Sequence, residues 1–387
     1  MNYRTRLVED LATIGAERWD TLVAEDAKRR ASEVNPFLRY AFLSALHETG
    51  CADLDAGWGV EYLTLWRGDD LVGAMPLYRK FHSYGEYVFD WAWADAYRRN
   101  GVDYYPKLLS AIPFTPVTGP RLIARDAPTG IALAKAVMDH AHASELSSLH
   151  VLFPERDDEA DALETVGCMR REGVQFHWTN AGYADFDAFV DTLERKRRKN
   201  IRAERRKVAE AGVRVRRVEG RDATDDDWRF FARCYANTYR AHYSTPYLNL
   251  KFFRRIAAAM PENLLLVIAE RDGTPIASSL VVFNASTLYG RYWGEVEHVP
   301  CLHFECAYYQ PLEFCIERGI GLFEGGAQGE HKMARGFLPV KTRSLHWLAH
   351  PAFAEAIEHF LAREAIGIGH YVDELNERDP FKPVDPA

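Results

Sequence analysis

The 387-residue chain has few cysteines: six, at positions 51, 168, 234, 301, 306 and 315, with no C-x-x-C pair and no histidines at zinc spacing. That excludes a disulfide framework and a structural zinc site, so reduced core thiols and no metal are expected. Long apolar runs are also missing. No window approaches the roughly 18 apolar residues a spanning helix needs, and the N-terminal stretch MNYRTRLVEDLATIGAERWD has no continuous apolar segment. A cytoplasmic protein without a membrane span is the expectation. There is no Walker lysine, no G-x-G-x-x-G fingerprint, no H-E-x-x-H and no G-x-S-x-G elbow, and no bound cofactor is expected. Net positive charge is lacking too: at -8 overall, the chain is not a dedicated nucleic-acid binder, although local basic patches remain open. Low-complexity tracts are absent. A hydrophobic content of 47% makes the chain globular, and its length suits two domains.

Two segments 210 residues apart read alike. In NPFLRYAFLSAL, Pro36, Phe37, Leu38 and Phe42 match Pro246, Tyr247, Leu248 and Phe252 of TPYLNLKFFRRI. Each is followed by two apolar strands around a charged turn, EYLTLWRGDDLVGAMPLY in the first and LLLVIAERDGTPIASSLVVF in the second, which are hairpin signals. The order predicts a duplication, with domains over 1–172 and 173–387. In the first, the pattern predicts a helix near Thr129 to Ala143 and a strand over Ser148 to Phe153. Between the copies, Phe186, Phe189, Leu193, Ile201 and Val208 recur at helical spacing, predicting one helix over 186–211 that stops at Gly212. In the second, strands are expected over Val213 to Val218, Leu264 to Glu270, Ile276 to Asn284, Thr287 to Trp293 and Ile320 to Glu324. Helices are expected over Thr224 to His242 and about His303 to Arg318.

Four constellations carry chemistry. The loop FEGGAQGEHKMARGF follows a short strand with glycines and then packs Glu330, His331, Lys332 and Arg335 into six residues. Glycines let backbone N–H groups approach a ligand, and the cations suit an oxyanion or phosphate. The run Arg195 to Lys207 holds nine Lys or Arg in thirteen positions, with Glu204 as its only acid. It is either a solvated helix face or a grip for a polyanion, with Arg197 and Asn200 nearest the apolar stripe and Lys199 and Arg202 beside them. In STLYGRYWGEVE, the period of two puts Tyr289, Arg291 and Trp293 on one side of a strand, either as core or as a pocket wall. His303 and Glu305 open the next helix. Finally, YRKFHSYGEYVFDWAWADAYRRNG gathers His82, Tyr84, Glu86, Asp90, Trp91, Trp93, Asp95 and Tyr97, a mixture that suits a packed interface or an amine-binding pocket.

The element order resembles the GNAT-type acyltransferase fold, and a tandem pair of such units resembles the Fem family of amino-acid transferases. The segments FDWAWADAYRRNGVDYYPKLLSAIPFTPVTGPR, GVQFHWTNAGYADFDAFVDTLERKRRKNIRAERRKV, LYGRYWG, LHFECAYYQ and GAQGEHKMARGF resemble a bacterial family of predicted N-acyltransferases related to Fem proteins. The resemblance implies an α/β (α+β) chain of two tandem GNAT-like domains, each a mixed twisted sheet flanked by helices. It implies transfer of an aminoacyl or acyl group to a small-molecule or peptide amine. The donor implied first is aminoacyl-tRNA held by the basic helix, with acyl-CoA or acyl-carrier-protein thioesters as the alternative, and a non-catalytic anion-binding protein as a further one. Lys332 falls where Fem-like enzymes carry a Phe-Lys element, although His331 replaces the Phe. The resemblance gives Lys332 the catalytic place, and the residues beside it offer Glu330 or His331 to take the proton of the attacking amine. Arg335, Arg197, Lys199, Arg202 and Arg291 are expected to bind the donor or its phosphate, and Tyr289, Trp293, His303, Glu305, His82, Tyr84, Asp90, Trp91, Trp93 and Asp95 to form the acyl or acceptor pocket. One departure counts against the ordinary coenzyme A mode. The Q/R-x-x-G-x-G/A turn is replaced by GEVEHVPCLHFE, where Pro300 lacks an N–H.

Overall fold

The computed structural model describes residues 3–326 and 329–382; Ala327 and Gln328 of the glycine-rich loop lie outside the described residues. The chain forms two compact units, one of residues up to Val174 with Lys341–Tyr371, the other of Gln175–Val340 with the residues from Val372. The first boundary falls close to residue 172, but 341–371 group with the first unit, unlike the sequence-derived second domain. Strand pairing is the cause, because Ser344–Leu348 run antiparallel to Ser148–Leu152.

In the first unit, β1 (Arg4–Val8), α1 (Ala16–Arg30) and α2 (Tyr40–Glu48) lead to β2 (Trp58–Val60), β3 (Tyr62–Arg67), β4 (Asp70–Met75) and β5 (Tyr78–Lys80). Then follow α3 (Trp91–Arg99), β6 (Lys107–Ser110), β7 (Ile123–Ala124), α4 (Ala127–Ala143), β8 (Ser148–Leu152), α5 (Asp157–Thr165) and β9 (Met169–Thr179). One sheet has the order β1-β3-β4-β7. A second runs β8-β6-β5-β2, with Ser344–Leu348 against β8. The core between sheet and helices is built from Leu63, Leu65, Val72 and Met75 against Leu133, Val137 and Met138 of α4. Burying such side chains stabilises by about 1.5–3 kcal/mol each.

The second unit contains α6 (Phe186–Thr192), α7 (Arg195–Glu210), β10 (Val213–Glu219), α8 (Asp225–Ala241), α9 (Leu250–Ala259), β11 (Leu264–Arg271), β12 (Thr274–Phe283) and β13 (Thr287–Glu295). A helical stretch over Leu302–Arg318 and the strand β14 (Leu322–Glu324) follow. Its sheet runs β10-β11-β12-β13-β14 and ends on the last residues of β9. Thr224 and Asp227 form a reciprocal capping box that starts α8.

The topology repeats. Strand, two helices, hairpin, third strand, helix and strand occur as β1-α1-α2-β3-β4-β7-α4-β8 and again as β10-α8-α9-β11-β12-β13, the 302–318 helix and β14. The hairpins even share a bulge. Leu65 faces Gly73 and Trp66 faces Leu71, so Val72 is the extra residue; Ala269 faces Ala277 and Glu270 faces Pro275, so Ile276 is its equivalent. Leu38 and Phe42 are buried ahead of and within α2, as Leu248 and Phe252 are around α9. The main difference lies between the hairpin and the third strand. Where β12 returns to β13 over residues 284–286, the first unit inserts residues 76–122 between β4 and β7.

Two sequence expectations change. The single helix over 186–211 is broken at Leu193, which is extended (φ -77, ψ 159). The break satisfies its own backbone, since the Arg198 guanidinium donates to the Leu193 carbonyl at 2.9 Å and Glu194 N–H donates to the Pro380 carbonyl at 2.9 Å. The helix expected over 303–318 contains a π-turn, Glu305–Tyr309, immediately before Gln310 and Pro311. Proline has no N–H to return along the helix, and the widened turn absorbs the missing bond.

Gly294 is where α8 presses on β13: a Cβ there would lie 1.9 Å from the Cys234 carbonyl oxygen. Gly294→Ala is therefore expected to cost more than about 3 kcal/mol, read as a lower midpoint in denaturant unfolding. Gly130→Ala, inside α4 with its nearest neighbour at 3.8 Å, is the control. It is expected to be neutral or to stabilise by about 0.5–1 kcal/mol.

Candidate functional site

In the second unit, β13 and β14 run parallel only while Thr287–Tyr289 face Leu322–Glu324; β13 then continues to Glu295 while β14 gives way to Gly325 and Gly326. The opening is enlarged by a bulge. Leu280 faces Tyr292 and Val281 faces Gly290, which leaves Arg291 as the extra residue of β13. Bulges re-aim side chains and gather beside active sites. This one also corrects the expected alternation: by register Tyr289 shares its face with Tyr292, and Trp293 lies on the opposite face with Gly290. Tyr292 packs against Tyr235 of α8, while the Trp293 ring lies 5.3 Å from His303.

The lysine loop closes over this opening as a short 3-10 turn, Glu330–Arg335. Lys332 is 3% exposed, and its Nζ donates to the Gly326 carbonyl at 2.9 Å. Burial, then the Arg291 charge, pulls its ammonium down to about 8. Burial and Lys332 in turn hold His177 at about 4, and burial with His331, Arg335 and Lys332 holds His303 at about 4. His331 is lowered by burial, Lys332 and Arg335, and its Nε2 lies 3.2 Å from the Tyr308 hydroxyl. Arg335 is buried with its guanidinium 3.4 Å above the Phe304 ring, and it donates to Glu204 Oε1 and Oε2 at 3.1 and 2.9 Å. Glu204 also accepts from the Tyr309 hydroxyl. Burial and the charges of Arg291, Lys332 and Arg335 thus act together on His303, His331 and Lys332, and lower the proton affinity of all three.

Other expected residues are placed elsewhere. Glu330 is exposed and pairs with Arg378 at 3.3 Å. Glu305 holds Arg205 with two hydrogen bonds of 3.0 and 3.1 Å, and Glu313 takes the same guanidinium at 2.6 Å. Glu305 therefore anchors α7 and, with Arg205, borders the cleft behind that helix. Arg202 pairs with Asp191 at 3.0 Å and Arg206 lies 3.7 Å from Glu210, so the basic run finds its acids mostly outside itself. Lys199 and Asn200 are exposed and Arg197 is half-buried. Behind α7 lies a cleft of about 450 Å³ lined by Phe186, Val190, Ile201, Val208, Val213 and Val215, with Arg202 and Arg206 among its charged residues.

In the first unit, His82, Tyr84, Asp90, Trp91 and Trp93 surround or belong to a buried ionic network. Lys107, with no exposed surface, donates to Glu86 Oε2 at 2.8 Å, to Ser83 at 3.0 Å and to Asp90 Oδ2. The Tyr104 hydroxyl donates to Asp90 Oδ2 at 2.7 Å and lies 3.1 Å from His150 Nε2. His150 Nδ1 and His346 Nδ1 are 2.6 Å apart, under the Trp93 ring. Asp95 stays outside this network, paired with Arg98 and Arg99 on the surface of α3. Sequence reading missed Lys80, Tyr104, Lys107, His150 and His346. Their only signal was polar residues in otherwise apolar strands, in YRK, YYPKLLS, SLHVL and SLHWL.

A family model described as FemAB-like, peptidoglycan biosynthesis/recognition, matches residues 10–383. The chain belongs to the FemAB-like family. Among solved structures, FemX is similar over 92% of this chain and 100% of its own, at 12% identity and a TM-score of 0.56. A conserved protein of unknown function from Bacteroides thetaiotaomicron VPI-5482 is similar over 89% of this chain and 100% of its own, at 11% identity and a TM-score of 0.50. No curated protein matches the sequence. At these identities the likeness is one of fold, and with the repeated topology it gives a tandem GNAT-type architecture. FemAB-like membership and this fold support an acyl- or aminoacyl-transferase kind of function. Among the described residues no helix is long and apolar enough to cross a membrane.

The lowered Lys332 ammonium has a stability consequence. Its folded value, about 8, lies below the ordinary lysine value of 10.5, so between these pH values the unfolded chain binds more protons and stability rises with pH. Lys332→Met is expected to raise the melting temperature near neutral pH, with the advantage over wild type shrinking as pH approaches about 10, in thermal unfolding followed by circular dichroism.

Proposed function

We propose that this FemAB-like chain is an N-acyltransferase that forms an amide by moving an acyl or aminoacyl group from an activated ester to an amine. The observation that carries the reading is Lys332, a buried ammonium beside the bulged Arg291 where β13 and β14 part. In the reaction the amine nitrogen attacks the ester carbonyl carbon, a C–N bond forms, the ester C–O bond breaks, and one amine proton leaves on the alkoxide oxygen. Lys332 is suited to hold the negative charge that develops on the carbonyl oxygen, because a fixed cation in a dry site needs no reorganisation. His331, its proton affinity lowered by burial and by its cationic neighbours, is suited to take the proton from the amine and return it to the leaving oxygen. Glu330, exposed and paired with Arg378, is the weaker candidate for that task.

Aminoacyl-tRNA is the donor favoured, with the exposed Arg195, Lys196, Lys199 and Lys207 of α7 as phosphate partners. An acyl thioester is the alternative. Against coenzyme A stands the β13-to-helix junction, where Pro300 and Cys301 take the place of a glycine turn. The family description makes an amine on a peptidoglycan precursor the first acceptor to test.

Purified protein incubated with charged tRNA and a precursor amine is expected to yield an amide product that RNase pretreatment abolishes; product from an acyl thioester but not from charged tRNA would replace the donor. Lys332→Ala is expected to lower kcat by about 10²–10³-fold. Lys196→Ala with Lys199→Ala is expected to weaken donor binding and to reduce the slope of log affinity against log salt by about one for each phosphate no longer neutralised, measured by filter binding across a salt series.

A further inference from the structure

The 76–122 insertion encloses charges that acyl transfer in the second unit leaves unused. Lys80 and Lys107 have no exposed surface and face each other directly across the β5–β6 pair. Like charges so placed destabilise a sheet, and the two lysines resolve the conflict unequally. Lys107 keeps its proton among Glu86, Asp90 and Ser83. Lys80 stands 4.2 Å over the Trp58 ring and 2.9 Å from His82 Nδ1. The other His82 nitrogen lies 3.0 Å from the Ala56 carbonyl, which fixes the proton there and leaves Nδ1 to accept from Lys80.

Two atoms of this network lack partners among the described residues. Glu86 Oε1 and Asp90 Oδ1 are fully enclosed and accept no hydrogen bond, on residues only 3% and 2% exposed. Leaving such acceptors empty costs about 1–3 kcal/mol each, so the site calls for a donor. The same segment presents Phe81, Tyr84, Phe89 and Trp91 to solvent, an unusual concentration of exposed aromatic surface. Trp91 lies 5.0 Å from Tyr84, Tyr84 lies 5.4 Å from His82, and His82 touches Lys80. An unbroken file of side chains thus leads from the surface to the buried amine.

We propose that this segment is a binding site for a primary ammonium group carried on an apolar or aromatic body, with Glu86 Oε1 and Asp90 Oδ1 accepting its N–H bonds and Tyr84 and Trp91 taking its body. A primary amine is also the acceptor class of the proposed reaction and to that extent the inference rests on that reading, but binding requires no acyl donor. Occupancy depends on pH in a defined direction. Burial first, opposed by Lys107, raises Glu86 to about 7, and burial lowers Lys80 to about 7. The other groups facing them hold their charge: Lys107 is raised, Asp90 is lowered, His82 is lowered by burial and by Lys80, His150 is held neutral at about 3, and the Tyr104 phenol is raised. Below neutrality the cluster of Lys80, Lys107, Glu86 and Asp90 carries net positive charge and repels a cation. Above it, Lys80 is neutral and Glu86 ionised, and the cluster attracts one.

The test is isothermal titration of the full chain with 2-phenylethylammonium, which is charged throughout, against the neutral isostere 2-phenylethanol, with no acyl donor present. Binding of the ammonium at about pH 8, weakened at least about tenfold at about pH 6 and in Glu86→Gln, with no binding of the alcohol, supports the site. Trp91→Ala, at an exposed rim position, is expected to weaken binding several-fold without loss of fold and serves as the probe should Glu86→Gln unfold. Equal binding of the alcohol, affinity indifferent to pH and to Trp91→Ala, or no heat from the ammonium at about pH 8 would overturn the proposal. With the donor absent, none of these results depends on whether the second unit transfers acyl groups.

Discussion

The ion pair between Arg335 and Glu204 holds the candidate site together. Glu204 is the one acid inside the basic run of α7, and it accepts from the buried Arg335 and from Tyr309. Arg335 lies across Phe304 and donates to the His331 carbonyl at 2.8 Å, so its position sets the turn that carries Lys332. A buried guanidinium deprived of its carboxylate would cost about 3–5 kcal/mol. Helix, π-turn and lysine loop are therefore fixed to one another by one anion. Glu305 does the same for Arg205, the next residue of α7, so the acids that pin the helix are committed to structure.

Backbone irregularities complete the site. The Arg291 bulge, the parting of β13 from β14 and the π-turn at Glu305–Tyr309 occur in neighbouring elements, and each sacrifices regular pairing. Regular sheet and helix would seal this region with hydrogen bonds, whereas the departures leave room and re-aim Arg291, His303 and Tyr308. Elsewhere the same unit has regular pairing, as the β10–β11 pair shows.

Duplication explains how one chain came to hold two chemically different regions. The two hairpins keep the same bulge at Val72 and Ile276, so the scaffold has been preserved in detail. The insertion between β4 and β7 has no counterpart in the second unit and is where the first unit buries Lys80, Lys107, Glu86 and Asp90. A charged network in such dry surroundings loses hydration that hydrophobic packing would have avoided, which is a cost a purely structural insertion would not carry.

The sequence by itself determined the duplicated order of elements, most strand positions, the extent of α8 between Thr224 and His242, and the stop at Gly319, because these depend on periodicity, capping and turn residues close together in the chain. It also singled out Lys332, Arg335 and His331 by their density after a strand. The break at Leu193 depended on a carbonyl partner far along the chain, that of Pro380, and the face of Tyr289 depended on a bulge defined only by the neighbouring strand. Only the tertiary structure decided that Glu305 and Glu204 are anchors, that Glu330 and Asp95 are surface ion-pair members, and that Lys80, Lys107, His150 and His346 meet in one buried network. Proton affinity and burial are properties of a surrounding shell of residues distant in sequence, and periodicity along one segment carries no record of that shell.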